Sequence, residues 1–203
     1  GDTFHLIDNK DELTTNKLAA IQPSAIFFPH WSHKIPAEIY QNYEAIIFHM
    51  TDVPFGRGGS PLQNLIVRQV RETKVTALQC VEELDAGAVY LKVPFTLEGS
   101  AQEIFERLSV VIEQMIVRIV QERPQPVPQI GEVTTFKRRR PEQSDLAECH
   151  TITELYDHIR MLDAEGYPHA FLKTPLFTIE FTRAVLQDGT VTAQAVFKPT
   201  GEV

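Results

Sequence analysis

A histidine at the end of an apolar run is the first residue whose position could support chemistry. Residues 45–48 are all apolar, and His49 follows them directly. The loop after it contains Gly56, Gly58 and Gly59, which leave space and free backbone amides beside an imidazole ring. An unperturbed imidazole titrates near neutral pH, so His49 could move protons. A lone histidine at a strand end is more often structural, but the glycine-rich loop favours a catalytic interpretation.

Asp85 is the second candidate and lies in the sequence Leu-Asp-Ala-Gly of residues 84–87. An aspartate shortly before a glycine is also common in turns, where its side chain only supports the backbone. The neighbouring carboxylates Glu82 and Glu83 fit either interpretation, because they could belong to a site or to the solvated surface. A catalytic role requires that folding bring Asp85 close to His49.

A further histidine, His30, follows the apolar residues 25–28. Residues 25–28 and 45–48 predict two neighbouring parallel strands joined by a right-handed crossover. Because the carboxyl ends of parallel strands meet at one edge of a sheet, His30 and His49 are expected at the same edge. Trp31 is either a wall of a pocket there or a side chain that fills the core.

Two other kinds of site are not favoured. His30, His33 and His49 match no standard spacing of zinc ligands, so no metal site is expected. Residues 56–60 precede a helix and could cradle phosphate. They lack the glycine-lysine-serine ending of a Walker loop and the GxGxxG pattern of a dinucleotide-binding loop. Alone, this loop is therefore a weak signal for nucleotide binding.

Hydrophobic patterning predicts the elements that must position these residues. Capping boxes indicate three helix starts, at Ser60–Gln63, Ser100–Glu103 and Thr151–Glu154. Gly166 is expected to end the helix that begins after Thr151. Strands are predicted at residues 3–7, 25–28, 45–48, 73–80 and 89–93, and two short helices around residues 13–21 and 37–42.

The second half of the chain predicts a smaller, mostly β unit. Residues 176–186 and 191–197 flank Asp188-Gly189, a strong signal for a β-hairpin. The proline-rich residues 123–130 predict an extended connector, and the basic run 137–140 is interpreted as a solvated loop. We therefore predict a catalytic α/β domain over residues 1–122, a linker over 123–136 and a small C-terminal α+β subdomain over 137–203.

Composition limits the classes of function. The chain has 203 residues and a formal charge of −8, which argues against general nucleic-acid binding. No apolar run reaches the length of a membrane span, and no signal peptide opens the sequence. The two cysteines, Cys80 and Cys149, are too few for a disulfide framework, and Cys80 is expected in the core. We expect a reduced, cytoplasmic protein without a membrane partner, and the exposed edges of a β appendage are consistent with a homodimer.

Two motifs resemble the signatures of the folate-dependent formyltransferases. Residues 57–61, Arg-Gly-Gly-Ser-Pro, are similar to the arginine-glycine-x-x-proline loop that follows the family's catalytic histidine. Residues 84–87 are similar to its leucine-aspartate-x-glycine loop. The amino-sugar branch of the family is particularly similar at residues 139–142, 159–162 and 167–171. The resemblance implies an α/β fold with a Rossmann-like, mainly parallel sheet, N-terminally shortened, and a small C-terminal mostly-β appendage.

The same resemblance implies transfer of a formyl group from N10-formyltetrahydrofolate to an amine, without a metal or a covalent enzyme intermediate. Residues 30–36 and 48–66 are similar to a subgroup that formylates nucleotide-linked amino sugars for surface glycans. Protonated His49 would then stabilise the tetrahedral oxyanion, and Asp85 would hold the imidazole and relay the amine proton. The alternatives are another amine, such as an aminoacyl group, and a degenerate member that binds folate or a partner protein without catalysis.

Residue by residue, the resemblance implies catalytic roles for His49 and Asp85. The family normally has an asparagine where this chain has Ile47, and His30 is the first candidate for the missing donor, ahead of Ser32 and Asn64. The folate is expected to contact Ser32, His33, Lys34, Ile35, Pro36, Glu82, Leu84 and Asp85. The amine substrate is expected to contact Thr51, Arg57, Gly58, Gly59, Gln63 and Asn64.

Overall fold

A computed structural model describes residues 3–200 of the chain. Within that range the α-helices are α1 Thr15–Ile21, α2 Ala37–Tyr40, α3 Pro61–Ile66, α4 Ala101–Glu122 and α5 Ile152–Arg160. The strands are β1 Ile26–Phe28, β2 Ala45–His49, β3 Arg57–Gly58, β4 Glu72–Gln79, β5 Val89–Thr96, β6 Thr135–Phe136, β7 Ala170–Lys173, β8 Phe177–Gln187 and β9 Thr190–Pro199. The predicted α/β class with a small C-terminal β appendage is confirmed.

The main sheet has the strand order β1-β2-β4-β5. β1 and β2 are parallel, as predicted, with Phe28 opposite Ile47. β4 is antiparallel to both β2 and β5, so the sheet is mixed. The cause is α3, which at six residues is too short to carry the chain back along the sheet. β4 therefore starts beside the end of β2, where His49 lies opposite Thr76.

The long helix α4 packs against β4 and β5 and closes the main core. Its predicted capping box is formed, because Ser100 Oγ accepts from the Glu103 N–H at 3.3 Å and the Glu103 carboxylate accepts from the Ser100 N–H at 2.8 Å. Burying each large aliphatic side chain stabilises such a fold by about 1.5–3 kcal/mol. The buried positions of α4 lie on one face of the helix: Ala101, Ile104, Leu108, Ile112, Met115 and Ile119.

The segment after the linker shares this core. Phe136, Leu146, Ile159 and Met161 are buried in the same apolar cluster as the main sheet and α4. The side chain of Gln63 also donates to the carbonyl oxygen of Met161 at 3.1 Å. The division at residues 1–122, 123–136 and 137–203 remains a proposal, and one apolar core extends across it.

The linker and the C-terminal hairpin follow their predictions. The linker is extended, and Val127 pairs with Val89 through two backbone hydrogen bonds. β7, β8 and β9 form a separate antiparallel sheet. Asp188 and Gly189, between β8 and β9, have φ values of 50° and 73°. Positive φ at both central residues is the requirement of a type I′ turn, so the hairpin prediction is confirmed.

Two predictions in the first third of the chain are wrong. Residues 3–7 form no strand, because nothing within residues 3–200 pairs with their backbone, and Phe4 and Leu6 are exposed. Ser60 precedes α3 but forms no capping box, since its φ of 50° turns the side chain away from the helix. Its hydroxyl instead accepts from the backbone N–H of Arg139 at 3.1 Å.

The end of α5 also differs from its prediction. The capping box at Thr151 and Glu154 is formed as predicted. The helix ends at Arg160 rather than at Gly166, because Met161 and the next residue turn into the core. Among the described residues, no helix is both long enough and apolar enough to cross a membrane.

Candidate active site

A cavity of about 720 Å³ opens at the ends of β1 and β2. This volume is usual for small-molecule sites. Its lining comes from the segment after β1, the end of β2, the two loops with the formyltransferase-like motifs, and α4. His49 and Asp85 both line the cavity and are both buried, with 6% and 7% of their surface exposed. Folding therefore brings together the two residues that were predicted to be catalytic.

One hydrogen bond and one carboxylate fix the imidazole of His49. Nε2 lies 2.8 Å from the carbonyl oxygen of Gly56, which can only accept, so Nε2 carries a proton. Nδ1 lies 3.5 Å from Oδ2 of Asp85. Nδ1 is thus the atom available for proton transfer, and a proton that arrives there lies beside a carboxylate.

Asp85 is itself held from two directions. Its Oδ2 accepts from the backbone N–H of Gly58 at 2.9 Å, and its backbone oxygen accepts from Nε2 of Gln129 at 2.8 Å. Asp85 has a φ of 53°, which is uncommon for a residue with a side chain. A conformation of this kind persists only where the surrounding contacts fix it. The position of the carboxylate is therefore set by neighbouring loops.

Gln129 joins the two loops that carry the motifs. Its Nε2 donates to the carbonyl oxygens of Asp85 and Gly87 at 2.8 and 2.9 Å. Its Oε1 accepts from Nε and Nη2 of Arg57 at 3.1 and 2.9 Å. Arg57 also donates to Glu83 at 3.0 Å. Sequence reasoning missed Gln129, because nothing local distinguishes it from the other polar residues of the connector.

The glycine-rich loop is paired with a later segment. β3 and β6 run parallel, with Gly58 opposite Phe136. Gly58 has a φ of 106°, and a Cβ at this position would lie 2.4 Å from the carbonyl oxygen of Phe136. Only glycine fits so close to that backbone. This approach orients the Gly58 N–H toward Asp85.

Most of the predicted site residues line the cavity. Besides His49 and Asp85, these are His30, Ser32, His33, Lys34, Ile35, Gly58, Gly59, Gln63, Glu82 and Leu84. The structure does not place Pro36, Thr51, Arg57 and Asn64 in the lining. The structure thus brings the predicted folate-contacting segments together almost completely, and the predicted amine-contacting set only in part.

The polar groups of Thr51, Arg57 and Asn64 form hydrogen bonds with loops, and their predicted contacts with the amine stay a prediction. Thr51 Oγ1 donates to the Gly56 carbonyl at 3.3 Å. The Arg57 guanidinium donates to the side chains of Gln129 and Glu83, as described above. Nδ2 of Asn64 donates to three loop carbonyls within 3.1 Å, those of Gly59, Ser60 and Lys137, so both of its protons are engaged. Asn64 therefore cannot replace the family asparagine as a donor.

Ile47 lines the cavity, which leaves His30 and Ser32 as candidate donors. His30 Nε2 lies 3.0 Å from Ser109 Oγ, which lies 3.0 Å from the carbonyl oxygen of Phe105. If the Ser109 hydroxyl donates to the Phe105 carbonyl, His30 must donate to Ser109 from Nε2. The Nδ1 atom of the neutral ring then carries no proton. Only if Ser109 donates to Nε2 of His30 does Nδ1 carry a proton that it can donate to a ligand. Burial lowers the pKa of His30, which favours the neutral ring, whereas the Ser32 hydroxyl can rotate to donate.

Three further side chains of the lining escaped the sequence-based assignment. Phe105 and Tyr167 stack with ring centroids 5.3 Å apart, and Arg138 lies beside the glycine-rich loop. Arg138 belongs to the basic run that was interpreted as a solvated loop. Tyr167 begins a stretch of family resemblance at residues 167–171, which was the one available signal for it.

Cys80 lines the cavity but does not act as a nucleophile in its present environment. It is buried, as predicted, and it is a free thiol. Burial and the nearby charge of Asp85 raise the pKa of the Cys80 thiol to about 11. It therefore stays protonated near neutral pH, and the thiol is a weak nucleophile. Among residues 3–200, no three His, Cys, Asp or Glu side chains are grouped so as to hold a metal ion.

Comparison with known sequences identifies relatives over most of the chain. A family model described as the C-terminal domain of methionyl-tRNA formyltransferase matches residues 141–198. The methionyl-tRNA formyltransferase of Bacillus cytotoxicus is 30% identical over 156 residues, which are 72% of this chain and 50% of that protein. The chain thus spans about half the length of the curated relatives that it matches.

Comparison with solved structures extends the similarity to nearly the whole chain. A methionyl-tRNA formyltransferase from Clostridium thermocellum superposes with a TM-score of 0.92 and 46% identity, over 95% of this chain and 86% of that one. A sugar N-formyltransferase from Shewanella sp superposes with a TM-score of 0.64 and 16% identity, over 94% and 76%. The first match is one of sequence and fold, and the second is one of fold alone.

Proposed function

The chain belongs to the formyltransferase family that includes methionyl-tRNA formyltransferase, and we propose that it transfers a formyl group from N10-formyltetrahydrofolate to a primary amine. The observation that carries this proposal is the buried pair of His49 and Asp85, with Nδ1 and Oδ2 3.5 Å apart at the wall of a cavity. A protein that only bound folate would need neither side chain in this arrangement. The pair therefore favours catalysis over the degenerate, binding-only alternative.

The folate is proposed to lie between residues 32–35 and residues 82–85. Both segments line the cavity. The first contributes polar backbone groups and the buried side chain of Ile35, and the second ends at Asp85. A flat heterocycle is held well by such a combination of an apolar surface and a few fixed polar groups. This arrangement would place the formyl group close to His49.

The proposed reaction is a direct transfer between two nitrogen atoms. The neutral amine attacks the formyl carbon, a new C–N bond forms, and the bond from that carbon to N10 breaks. One proton must leave the attacking amine, and one must reach N10. His49 takes the first at Nδ1, because its Nε2 proton is engaged by Gly56, and it delivers a proton from the same atom to the departing N10.

Asp85 acts on the charged form of His49 in this scheme. A neutral imidazole presents a lone pair at Nδ1, and after it takes the amine proton the ring carries a positive charge 3.5 Å from the carboxylate. The attraction between these charges stabilises the step in which the tetrahedral intermediate forms. The developing oxyanion then faces the imidazolium and a second donor, for which we propose Ser32 before His30.

For the amine we propose an amino sugar, in nucleotide-linked form. Support comes from the similarity of residues 30–36 and 48–66 to proteins with such substrates, and from the formal charge of −8, which disfavours nucleic acid. The cavity volume suits a small substrate beside the folate. The amine of such a sugar attacks in its neutral form, and the proposed base accepts the proton that the amine then loses.

A second candidate substrate is an aminoacyl group, as on methionyl-tRNA. It is favoured by the names of the relatives at 30% and 46% identity, whereas the named sugar enzyme shares only 16%. Both candidates require the same reaction at the same atoms. They differ in what lies beyond the amine and so in which cavity residues bind it.

The test is the absorbance change when N10-formyltetrahydrofolate becomes tetrahydrofolate, measured with each candidate amine. Nucleotide-linked amino sugars and methionyl-tRNA form the two arms. His49→Gln is the control, because the glutamine amide can still donate to the Gly56 carbonyl but cannot serve as the base. Turnover in one arm, lost in the variant, supports the proposal and names the substrate class. Folate binding without turnover in either arm would replace it with the binding-only alternative.

A further inference from the structure

Arg138 is a basic side chain in the wall of the catalytic cavity. It makes no hydrogen bond or ion pair with any residue in the described range 3–200, and the other members of the basic run, Lys137, Arg139 and Arg140, do not line the cavity. The guanidinium of Arg139 is engaged, because its Nη2 donates to the Gln143 carbonyl at 2.6 Å. Arg138 is itself exposed, as are Lys137 and Arg140, and it differs from them in lining the cavity. Arg138 is thus the member of the run that is available to a ligand.

The backbone on both sides of Arg138 is held against the glycine-rich loop. The Gly59 N–H donates to the Phe136 carbonyl at 3.2 Å, and the Lys137 carbonyl accepts from Asn64 at 2.9 Å. On the other side, the Arg139 N–H donates to Ser60 at 3.1 Å. These three contacts fix the backbone from which Arg138 extends, so binding of an anion must order the side chain but not the loop.

Gly59 allows this close approach. A Cβ at Gly59 would lie 2.7 Å from Cβ and 2.9 Å from Cα of Arg138. Any side chain at position 59 would push Arg138 away from the loop that carries Gly58 and contacts Asp85. The glycine therefore allows the side chain of Arg138 to leave the backbone directly beside the glycine-rich loop.

Tyr167 provides a second polar group beside Arg138. Its ring stacks on Phe105 of α4, and it lines the same cavity. Burial raises the pKa of the Tyr167 hydroxyl, while the positive charge of Arg138 acts in the opposite direction. A phenol and a guanidinium both donate hydrogen bonds, so an anion between them would have donors from both side chains.

We propose that Arg138 and Tyr167 form a binding subsite for an anionic group, phosphate or carboxylate, of the amine substrate. That the ligand is a substrate rests on the proposed formyl transfer. The subsite itself rests only on the cavity and the free guanidinium of Arg138. Arginine binds both anions through paired N–H donors. Arg138 lies against Gly59 of the glycine-rich loop, where the amine is predicted to bind, so the subsite is assigned to the amine and not to the folate.

The test measures equilibrium binding by calorimetry, without turnover. Inorganic pyrophosphate and malonate serve as probes for the two anions, and tetrahydrofolate is measured beside them at constant ionic strength. Arg138→Gln is compared with Lys137→Gln, which removes the same charge from the neighbouring position outside the cavity. Arg138→Lys keeps the charge but not the paired donors, and it serves as a second variant should the glutamine variant not fold.

We expect Arg138→Gln to weaken one probe by about tenfold or more, since hydrogen bonds to charged groups are the strong ones. Lys137→Gln should leave both probes within about twofold. If Arg138→Gln loses affinity for pyrophosphate, the amine substrate carries a phosphate. If it loses affinity for malonate, the amine substrate carries a carboxylate. Equal binding by all variants, or no binding by the unaltered protein, overturns the subsite. Weakened tetrahydrofolate binding alone would move Arg138 to the folate. Failure of every amine in the turnover assay would instead count against the proposed reaction only.

Discussion

The two walls of the cavity are built by different kinds of interaction. The loop wall, residues 56–60 and 82–87, is a hydrogen-bonded network in which Gln129 bonds to both loops. The aromatic wall, residues 28–35, is held by ring contacts. Trp31 lies edge-on to Phe28 and to His33, each with ring centroids 5.7 Å apart. The buried Trp31 Nε1 has no hydrogen-bond partner among residues 3–200.

This difference matches two different tasks. A proton transfer tolerates little displacement, and a misplacement of about 1 Å can cost about a hundredfold in rate. Directional hydrogen bonds suit the loop wall, which carries Asp85 and supports His49. Binding a flat ring depends mainly on contact area, for which apolar packing is sufficient. Substitutions of the loop-wall residues that hold Asp85 or His49 should therefore change kcat, and substitutions in the aromatic wall should change the KM for the folate.

The largest effect is expected for His49→Gln. The variant keeps a donor for the Gly56 carbonyl and removes the base, so kcat should fall by about 10²–10⁴-fold. The KM for the folate should stay within a few-fold of its original value, and thermal unfolding should report an intact fold. A variant that keeps its kcat would show that the loop wall does not position the base.

The next largest effect is expected for Asp85→Asn. The asparagine oxygen can still accept from the Gly58 N–H, but the charge that stabilises protonated His49 is lost. We expect kcat to fall by about a hundredfold or more. Steady-state kinetics with the preferred amine would measure it. A loss confined to KM would mean that Asp85 binds a ligand and does not act on His49.

A smaller effect is expected for Gln129→Ala, which removes the link between the two loops without touching a ligand. The kcat should fall by about tenfold, since the displacement of Asp85 would be less than its removal. Gln125→Ala, at an exposed position of the same connector, is the matched control and should leave kcat unchanged. Equal kinetics for the two variants would remove Gln129 from the positioning of the site.

In the aromatic wall, Trp31→Phe should have a modest effect. It keeps an aromatic ring and removes an indole N–H that lacks a partner, and an unsatisfied buried donor typically costs about 1–3 kcal/mol. The midpoint of urea unfolding should therefore not fall much. The KM for the folate should rise a few-fold, and kcat should stay within about twofold. A hundredfold loss of kcat in Trp31→Phe would contradict the proposal that the aromatic wall affects only the KM for the folate.

The smallest effect concerns pH and His30. Burial lowers the pKa of His30 in the folded state below its usual 6.5. As the pH falls below that value, the unfolded chain binds a proton that the folded protein resists, so stability decreases on acidification. His30→Gln removes this contribution and should give a flatter dependence of the urea midpoint on pH, below about 6.5. Identical pH profiles would contradict the assignment.

The sequence contained enough information to predict the reacting pair but not the contacts that hold it. The parallel strands that end near His30 and His49 followed from two short apolar runs, and the pairing of His49 with Asp85 followed from the family motifs. Gln129 and Arg138 depend on contacts between distant segments, which no local pattern reveals. Ser60 shows the same limit, because its capping signature was present and the Arg139 N–H competed for the hydroxyl. The main sheet is mixed, whereas the resemblance implied a mainly parallel one, because α3 is shorter than a crossover between parallel strands requires.

The pairing of β3 with β6 has a consequence for the order in which the protein can assemble. The two residues proposed to carry out the proton transfers, His49 and Asp85, precede residue 86, whereas the segments that hold them in place, at Gln129 and Phe136, are synthesised later. A nascent chain that has emerged only to the end of α4 would therefore contain both catalytic side chains without their final arrangement. Competence for catalysis would then be acquired late, when the linker emerges from the ribosome and folds back onto the two loops.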